Sequence, residues 1–176
     1  NIDVLALQEI KCEQNNFPYK LFNSHGYNCE VVGQKSYNGV AIIARKPIKM
    51  ICNSLPLLSE KDSQSRYLEI EIDNFIFSSI YLPNGNPVNS EKYTYKVSWM
   101  ERLLSHAKHL LESQKPVLLA GDYNVIPQNI DCWDEKIWKD DALALPEIKG
   151  LFRKIENIGY HDAYRLINKF KTEWSF

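Results

Sequence analysis

The sequence predicts an α/β fold, a layered sandwich with central mixed β-sheets inside and helices outside. Three observations predict it. Short, continuous apolar runs end in polar residues; an alternating segment is followed by a turn and a returning apolar segment; and two stretches carry apolar residues at helical spacing.

Val4-Leu5-Ala6-Leu7 is a short apolar run, as expected of a strand buried on both faces. Phe17-Pro18-Tyr19 opens a short helix that closes near Gly26, with Pro18 suited to the first turn. Gly39 to Ala44 is a further strand. Tyr67 to Ile72 alternates apolar with acidic residues, the pattern of a half-exposed antiparallel strand. Asp73-Asn74 is a turn signal, and Phe75 to Tyr81 returns as the hairpin partner. Asn89 or Ser90 can cap a long helix in which Val97, Met100, Leu104, Ala107 and Leu111 form a stripe. It ends before Lys115-Pro116, because the residue preceding proline is biased out of the helical region. Val117 to Gly121 reads as a second fully buried strand, and a loop rich in Pro, Asp and Trp covers roughly Pro127 to Ala144. Pro146 then starts a helix with Ile148, Leu151, Phe152 and Ile155 on one face, stopping at Gly159.

No repeat, low-complexity tract or Gly/Ser linker divides the 176 residues, so a single domain spanning 1–176 is assigned. No apolar run approaches the roughly 20 residues needed to span a bilayer, and the first residues lack the pattern of a signal peptide. Cys12, Cys29, Cys52 and Cys132 are scattered with no Cys-x-x-Cys pair, which argues for reduced thiols in a reducing, cytoplasmic compartment. Lys+Arg (21) nearly cancel Asp+Glu (22), so a polyanionic partner would have to be met by locally concentrated charge.

The informative polar residues stand directly after strands, where a rigid element can aim a side chain into a cleft. These are Gln8-Glu9-Ile10-Lys11, then Tyr81-Leu82-Pro83-Asn84-Gly85, then Gly121-Asp122-Tyr123-Asn124. Taken alone, each has an ordinary explanation. Glu9 could pair with Lys11, Asp122 and Asn124 could form a turn, and Tyr81 could be a packing aromatic with its hydroxyl at the rim. Glu9 could equally serve a hard cation, since Mg²⁺ is held through one or two carboxylates plus water and phosphate.

Read in order, Leu7-Gln8-Glu9-x-Lys11, Gly39-Val40-Ala41, Tyr81-x-Pro83-Asn84-Gly85 and Gly121-Asp122-x-Asn124 resemble the exodeoxyribonuclease III and apurinic endonuclease family, within the endonuclease/exonuclease/phosphatase fold group. The resemblance runs from Asp3 to Phe176. It implies that Glu9 binds the catalytic divalent cation, Mg²⁺ with Mn²⁺ as an alternative, supported by Lys11. It further implies that Tyr81 points its phenol at the scissile phosphate and that Asn84 donates to a phosphate oxygen. Asp122 would orient or deprotonate the attacking water, and Asn124 would fix Asp122 and the phosphate. An upstream strand carrying an Asn and a downstream portion with an Asp-His pair are expected outside these residues, so the chain alone is expected to be an inactive fragment. His25, His106, His109 and His161 do not match that Asp-His motif.

The implied activity is Mg²⁺-dependent DNA phosphodiester cleavage in base-excision repair, as a 3′-5′ exonuclease and abasic-site endonuclease. Its partner would be double-stranded DNA with abasic sites or 3′ ends, bound by a monomer with no membrane partner. Lys61, Arg66, Lys92, Lys96 and Arg102 lie near the expected strand ends and helix mouth; Arg66, Lys92 and Lys96 are the candidates for backbone contacts. Trp133 and Trp138 either probe the DNA or pin their loop to the body. Two other readings stay open: a phosphoesterase of the same fold acting on a lipid or inositol phosphate, and a non-catalytic nucleic-acid-binding relative.

Overall fold

The computed structural model describes residues 2–56 and 62–174, so the candidate cation Lys61 lies outside the described residues. The fold is α/β with a mixed sheet, and the chain falls into two compact units. The first comprises residues 1–82 and 109–123, the second residues 83–108 and 124–176.

The first unit holds both sheets. One is antiparallel with strand order β1-β3-β2, formed by β1 (Val4–Gln8), β2 (Asn28–Val32) and β3 (Val40–Ala44). The other has the order β4-β5-β6-β7, from β4 (Lys49–Cys52), β5 (Tyr67–Ile72), β6 (Phe75–Tyr81) and β7 (Val117–Asp122). Here β5 and β6 form the expected hairpin, and β7 pairs parallel to β6. A parallel pair needs a crossover, supplied by a connection that contains the long helix.

β3 has all five residues buried, and the period of two divides them. Val40, Ile42 and Ala44 pack with Leu68, Ile70, Ile72 and Phe77 of the second sheet, while Ala41 and Ile43 pack with Phe17 and Val31. The short helix α1 (Tyr19–Ser24) lies against β2. A polar stitch joins the sheets close to the strand ends: Gln8 Nε2 donates to Ser79 Oγ at 3.0 Å, and that hydroxyl donates to the Leu7 carbonyl at 3.2 Å.

Three strand expectations are corrected. β5 is not half-exposed: Glu69 is 1% exposed, and its carboxylate accepts from the Tyr67 hydroxyl at 2.5 Å and from Ser78 Oγ at 3.4 Å. Those hydroxyls offset the cost of drying an acid, which an alternating pattern cannot reveal. β7 is not fully buried: among the described residues it is the last strand of its sheet, and its Leu118 is exposed. β1, at the end of its sheet among the described strands, is only half-buried.

Gly121 in β7 stands at φ +142°, and a Cβ there would lie 2.0 Å from the Ile80 carbonyl oxygen of β6. No L side chain fits so close an approach. Gly121→Ala is expected to lower stability by about 3 kcal/mol, through overpacking and backbone strain, read as a fall in the urea midpoint.

In the second unit, Ser90 precedes α2 (Glu91–Glu112) and accepts from the Tyr93 amide at 3.4 Å. All but the last turn of α2 belongs to this unit, and its Lys96, Trp99, Met100, Leu103 and Ala107 are buried. The expected loop contains a 3-10 turn at Asn129–Asp131 and a short helix, α3 (Glu135–Trp138). Ile126, Cys132 and Leu143 form its small core, with Trp138 packed against it. α4 (Pro146–Asn157) has Pro146 in its first turn and buries Ile148, Leu151 and Ile155. α5 (Ala163–Ile167) is capped by Asp162, whose side chain accepts from the Arg165 amide. Arg165 also forms a nearly dry ion pair with Asp131.

Candidate active site

Glu9, Lys11, Arg66, Tyr81 and Asp122 all belong to the first unit, at the ends of β1, β6 and β7 or just before β5. Immediately after β1 the backbone turns left-handed at Glu9 (φ +52°) and again at Lys11 (φ +51°). Non-glycine residues rarely adopt this conformation, and it costs of order 1–3 kcal/mol. Two main-chain hydrogen bonds hold it: Ile10 N–H to the Gly39 carbonyl at 3.2 Å and Lys11 N–H to the Asn38 carbonyl at 3.0 Å. The segment before β3 therefore sets the direction of Glu9.

The Glu9 carboxylate meets Lys11 Nζ at 2.8 Å and accepts from the Tyr81 hydroxyl. The Lys11 ammonium, ahead of the Tyr81 hydrogen bond, holds Glu9 below the usual carboxylate range, so it stays ionised into acid solution. Burial and then the Glu9 hydrogen bond push the Tyr81 phenol up, so it keeps its proton at neutral and mildly alkaline pH. A group aimed at an anion must hold a proton to donate, and this environment secures it.

Arg66 brackets Tyr81 from the other side. Its guanidinium lies 4.7 Å from the ring centroid, and Nη1 donates to the Tyr81 carbonyl at 3.2 Å. Its Nε donates to Gln64 Oε1 at 2.7 Å. The expectation that Arg66 reaches out to DNA is thus modified: it is half-buried and orients the tyrosine. Asp122 is the direct register partner of Tyr81 across the β6–β7 ladder, and the Leu82 amide donates to the Asp122 carbonyl at 2.8 Å. The Asp122 charge is among the influences that raise the Tyr81 phenol.

The second unit brings the asparagines together. Asn84 Nδ2 donates to Asn124 Oδ1 at 3.3 Å, and Asn84 Oδ1 accepts from the Asn86 amide at 3.1 Å. Asn124 is buried and left-handed at φ +46°, whereas Asn84 is exposed. Lys96 is corrected outright. It is completely buried and donates to main-chain carbonyls, so it is no surface cation for DNA. Arg102 is also buried, and Lys92 alone of the three chosen cations remains exposed. Of the two tryptophans, Trp138 packs inward and pins the loop, while Trp133 is exposed and stands edge-on to Trp174 with centroids 4.4 Å apart.

Sequence reasoning missed the residues that hold the site. Gln64 carries Arg66 and accepts from Asn38 at 3.4 Å, and Asn86 donates to both Asp141 oxygens at 3.0 Å. Asn38 beside Gly39 is a turn signal that could have drawn attention; Gln64 and Asp141 carry none.

A model of the endonuclease/exonuclease/phosphatase family matches residues 1–172. Exodeoxyribonuclease III of Haemophilus influenzae is 28% identical over 177 residues, covering 94% of this chain and 66% of that protein. A DNA-(apurinic or apyrimidinic site) endonuclease of Dictyostelium discoideum is 26% identical over 181 residues, covering the whole chain and 50% of that protein. Among solved structures, an AP endonuclease from Archaeoglobus fulgidus superposes with a TM-score of 0.92 at 28% identity, covering 99% of this chain and 67% of that one. The chain thus spans half to two thirds of the length of the relatives it matches.

Proposed function

This chain belongs to the endonuclease/exonuclease/phosphatase family, and from that premise we propose that it carries the phosphodiester-cleaving centre of a DNA-repair nuclease. Its substrate is double-stranded DNA with abasic sites or 3′ ends, and Mg²⁺ is its cofactor. The observation that carries the reading is that Glu9, Tyr81 and Asp122 stand together on adjoining strand ends of one unit. Relatives named as exodeoxyribonuclease III and AP endonuclease support the DNA substrate.

The donor set fits a hard cation. Glu9 offers a carboxylate with 43% of its side-chain surface open, ionised through its Lys11 contact. Glu9 would hold Mg²⁺, which would supply Lewis-acid stabilisation of phosphoryl oxygen charge. The Tyr81 hydroxyl has one proton, given to Glu9 here; with substrate bound it would give that proton instead to a non-bridging phosphate oxygen, its ring held by Arg66. Asp122 accepts a proton from the attacking water, or holds that water in line. Asn84 and Asn124, joined to one another in the second unit, offer side-chain amides to phosphate oxygens, and Lys92 meets the DNA backbone from the first turn of α2.

Tyr81→Phe keeps the ring under Arg66 and removes only the donor. It should lower kcat by about 10²-fold with KM little changed. Assay of the complete protein on abasic duplex, recessed 3′ ends and phospholipid, with and without EDTA, tests the function. EDTA-sensitive cleavage of DNA alone is expected. Cleavage of phospholipid would transfer the site to a lipid phosphoesterase, and no metal-dependent turnover would make the protein a binding relative.

A further inference from the structure

Lys96 lies in the second turn of α2 and is completely buried. Drying an ammonium costs several kcal/mol unless its N–H groups find acceptors. Here Nζ donates to the Asn84 carbonyl at 2.9 Å and to the Asn124 carbonyl at 2.6 Å. Those acceptors are the main chains of the two asparagines whose side chains are already joined at 3.3 Å. Gly85 makes room for the stem: a Cβ there would lie 2.5 Å from Lys96 Cδ. Gly85 (φ +88°) and Asn124 (φ +46°) both have left-handed backbones, and Asn124 keeps a strained conformation only because its surroundings hold it.

We propose that Lys96 is a positioning residue: its buried Nζ ties the main chains of Asn84 and Asn124 together and so sets where their side-chain amides point. The inference rests on the reading of both asparagines as phosphate-site groups. Lys96 does not touch the phosphate. It acts through backbone carbonyls, which a side chain without donors cannot replace. Methionine matches the stem and lacks the donors, so Lys96→Met removes the tie with little change of volume.

The test is a double-mutant cycle in the complete protein, with Lys96→Met and Asn124→Ala made singly and together and assayed on abasic duplex with Mg²⁺. Lys96→Met should lower kcat about 10²-fold at nearly constant KM, since small misplacements of site groups cost that much. In the Asn124→Ala background the same change should cost only about 3-fold, because the group it positions is gone. A variant that lowers the unfolding midpoint but keeps its kcat, or losses that multiply fully, would overturn the inference. If Lys96→Met does not fold, the wild-type protein decides. Scalar couplings across hydrogen bonds, from Lys96 Nζ to the carbonyl carbons of Asn84 and Asn124, support the tie; a freely exchanging, uncoupled Nζ refutes it. These couplings do not depend on turnover. A coupled wild-type protein without nuclease activity would sink the reading of the site, not the tie.

Discussion

Asp122→Ala should lower kcat for abasic-site cleavage by about 10⁴-fold, the upper end of what one positioned proton acceptor supplies. KM should change little, because on the proposed reading the carboxylate acts on water and not on DNA. Asp122 ends β7 beside Tyr81, and Gly121 before it lets the two strands approach, so Asp122→Ala, which keeps Gly121, leaves the ladder intact. Steady-state kinetics on a synthetic abasic duplex, with the urea midpoint as a folding control, measure the effect. Asp122→Asn separates two roles. It can still orient water but cannot take its proton, so a loss as large as that of alanine identifies proton transfer. A loss below about 10-fold in both variants would remove Asp122 from the chemistry.

Glu9→Gln should raise the Mg²⁺ concentration for half-maximal activity by about 100-fold or more, since a neutral amide is a poor ligand for a hard cation. The change is nearly isosteric, and the amide oxygen can still accept from Tyr81. Titration of activity against Mg²⁺ reads it directly, and an unchanged requirement would relocate the metal. The pH dependence follows from Lys11, which lies 2.8 Å from this carboxylate and holds its pKa down. Lys11→Met releases Glu9 toward the ordinary carboxylate value, so protons compete with the cation at higher pH and the acid limb of activity moves up. The same shift contributes to folding above the unfolded carboxylate pKa and is lost as pH falls through the lower folded one. With both side chains about half open to water, that contribution is small.

The sequence made legible what periodicity and length control. The β5–β6 hairpin, β3 and α4 announce themselves by an apolar pattern that one face must bury; α2 is announced by its length, but of its expected stripe only Met100 and Ala107 are buried and Leu111 is exposed. β2 and β4 did not, because Asn28-Cys29-Glu30 and Lys49-Met50 dilute strands of only five and four residues. Glu69 misled because an acid in an alternating strand reads as solvent-facing unless the hydroxyls that satisfy it can be seen. At the candidate site, strand-end polar residues singled out Glu9, Tyr81 and Asp122, and the topology brings those strand ends into one unit. Lys96 was misread for the opposite reason: a lysine on a helix is usually solvated, and only the carbonyls facing it show otherwise.

The parallel pairing of β6 with β7 bears on how this protein can diverge. Slipping the ladder by one residue would turn Asp122 to the other face of the sheet and away from Tyr81, so drift in that register is lethal to the partnership. The excursion from Pro83 to Pro116 is under a different constraint. Provided both ends rejoin in register and Asn84, Gly85 and Lys96 keep their contacts, the exposed face of α2 can be exchanged, leaving room for new substrate preferences while Tyr81 and Asp122 stay where they are.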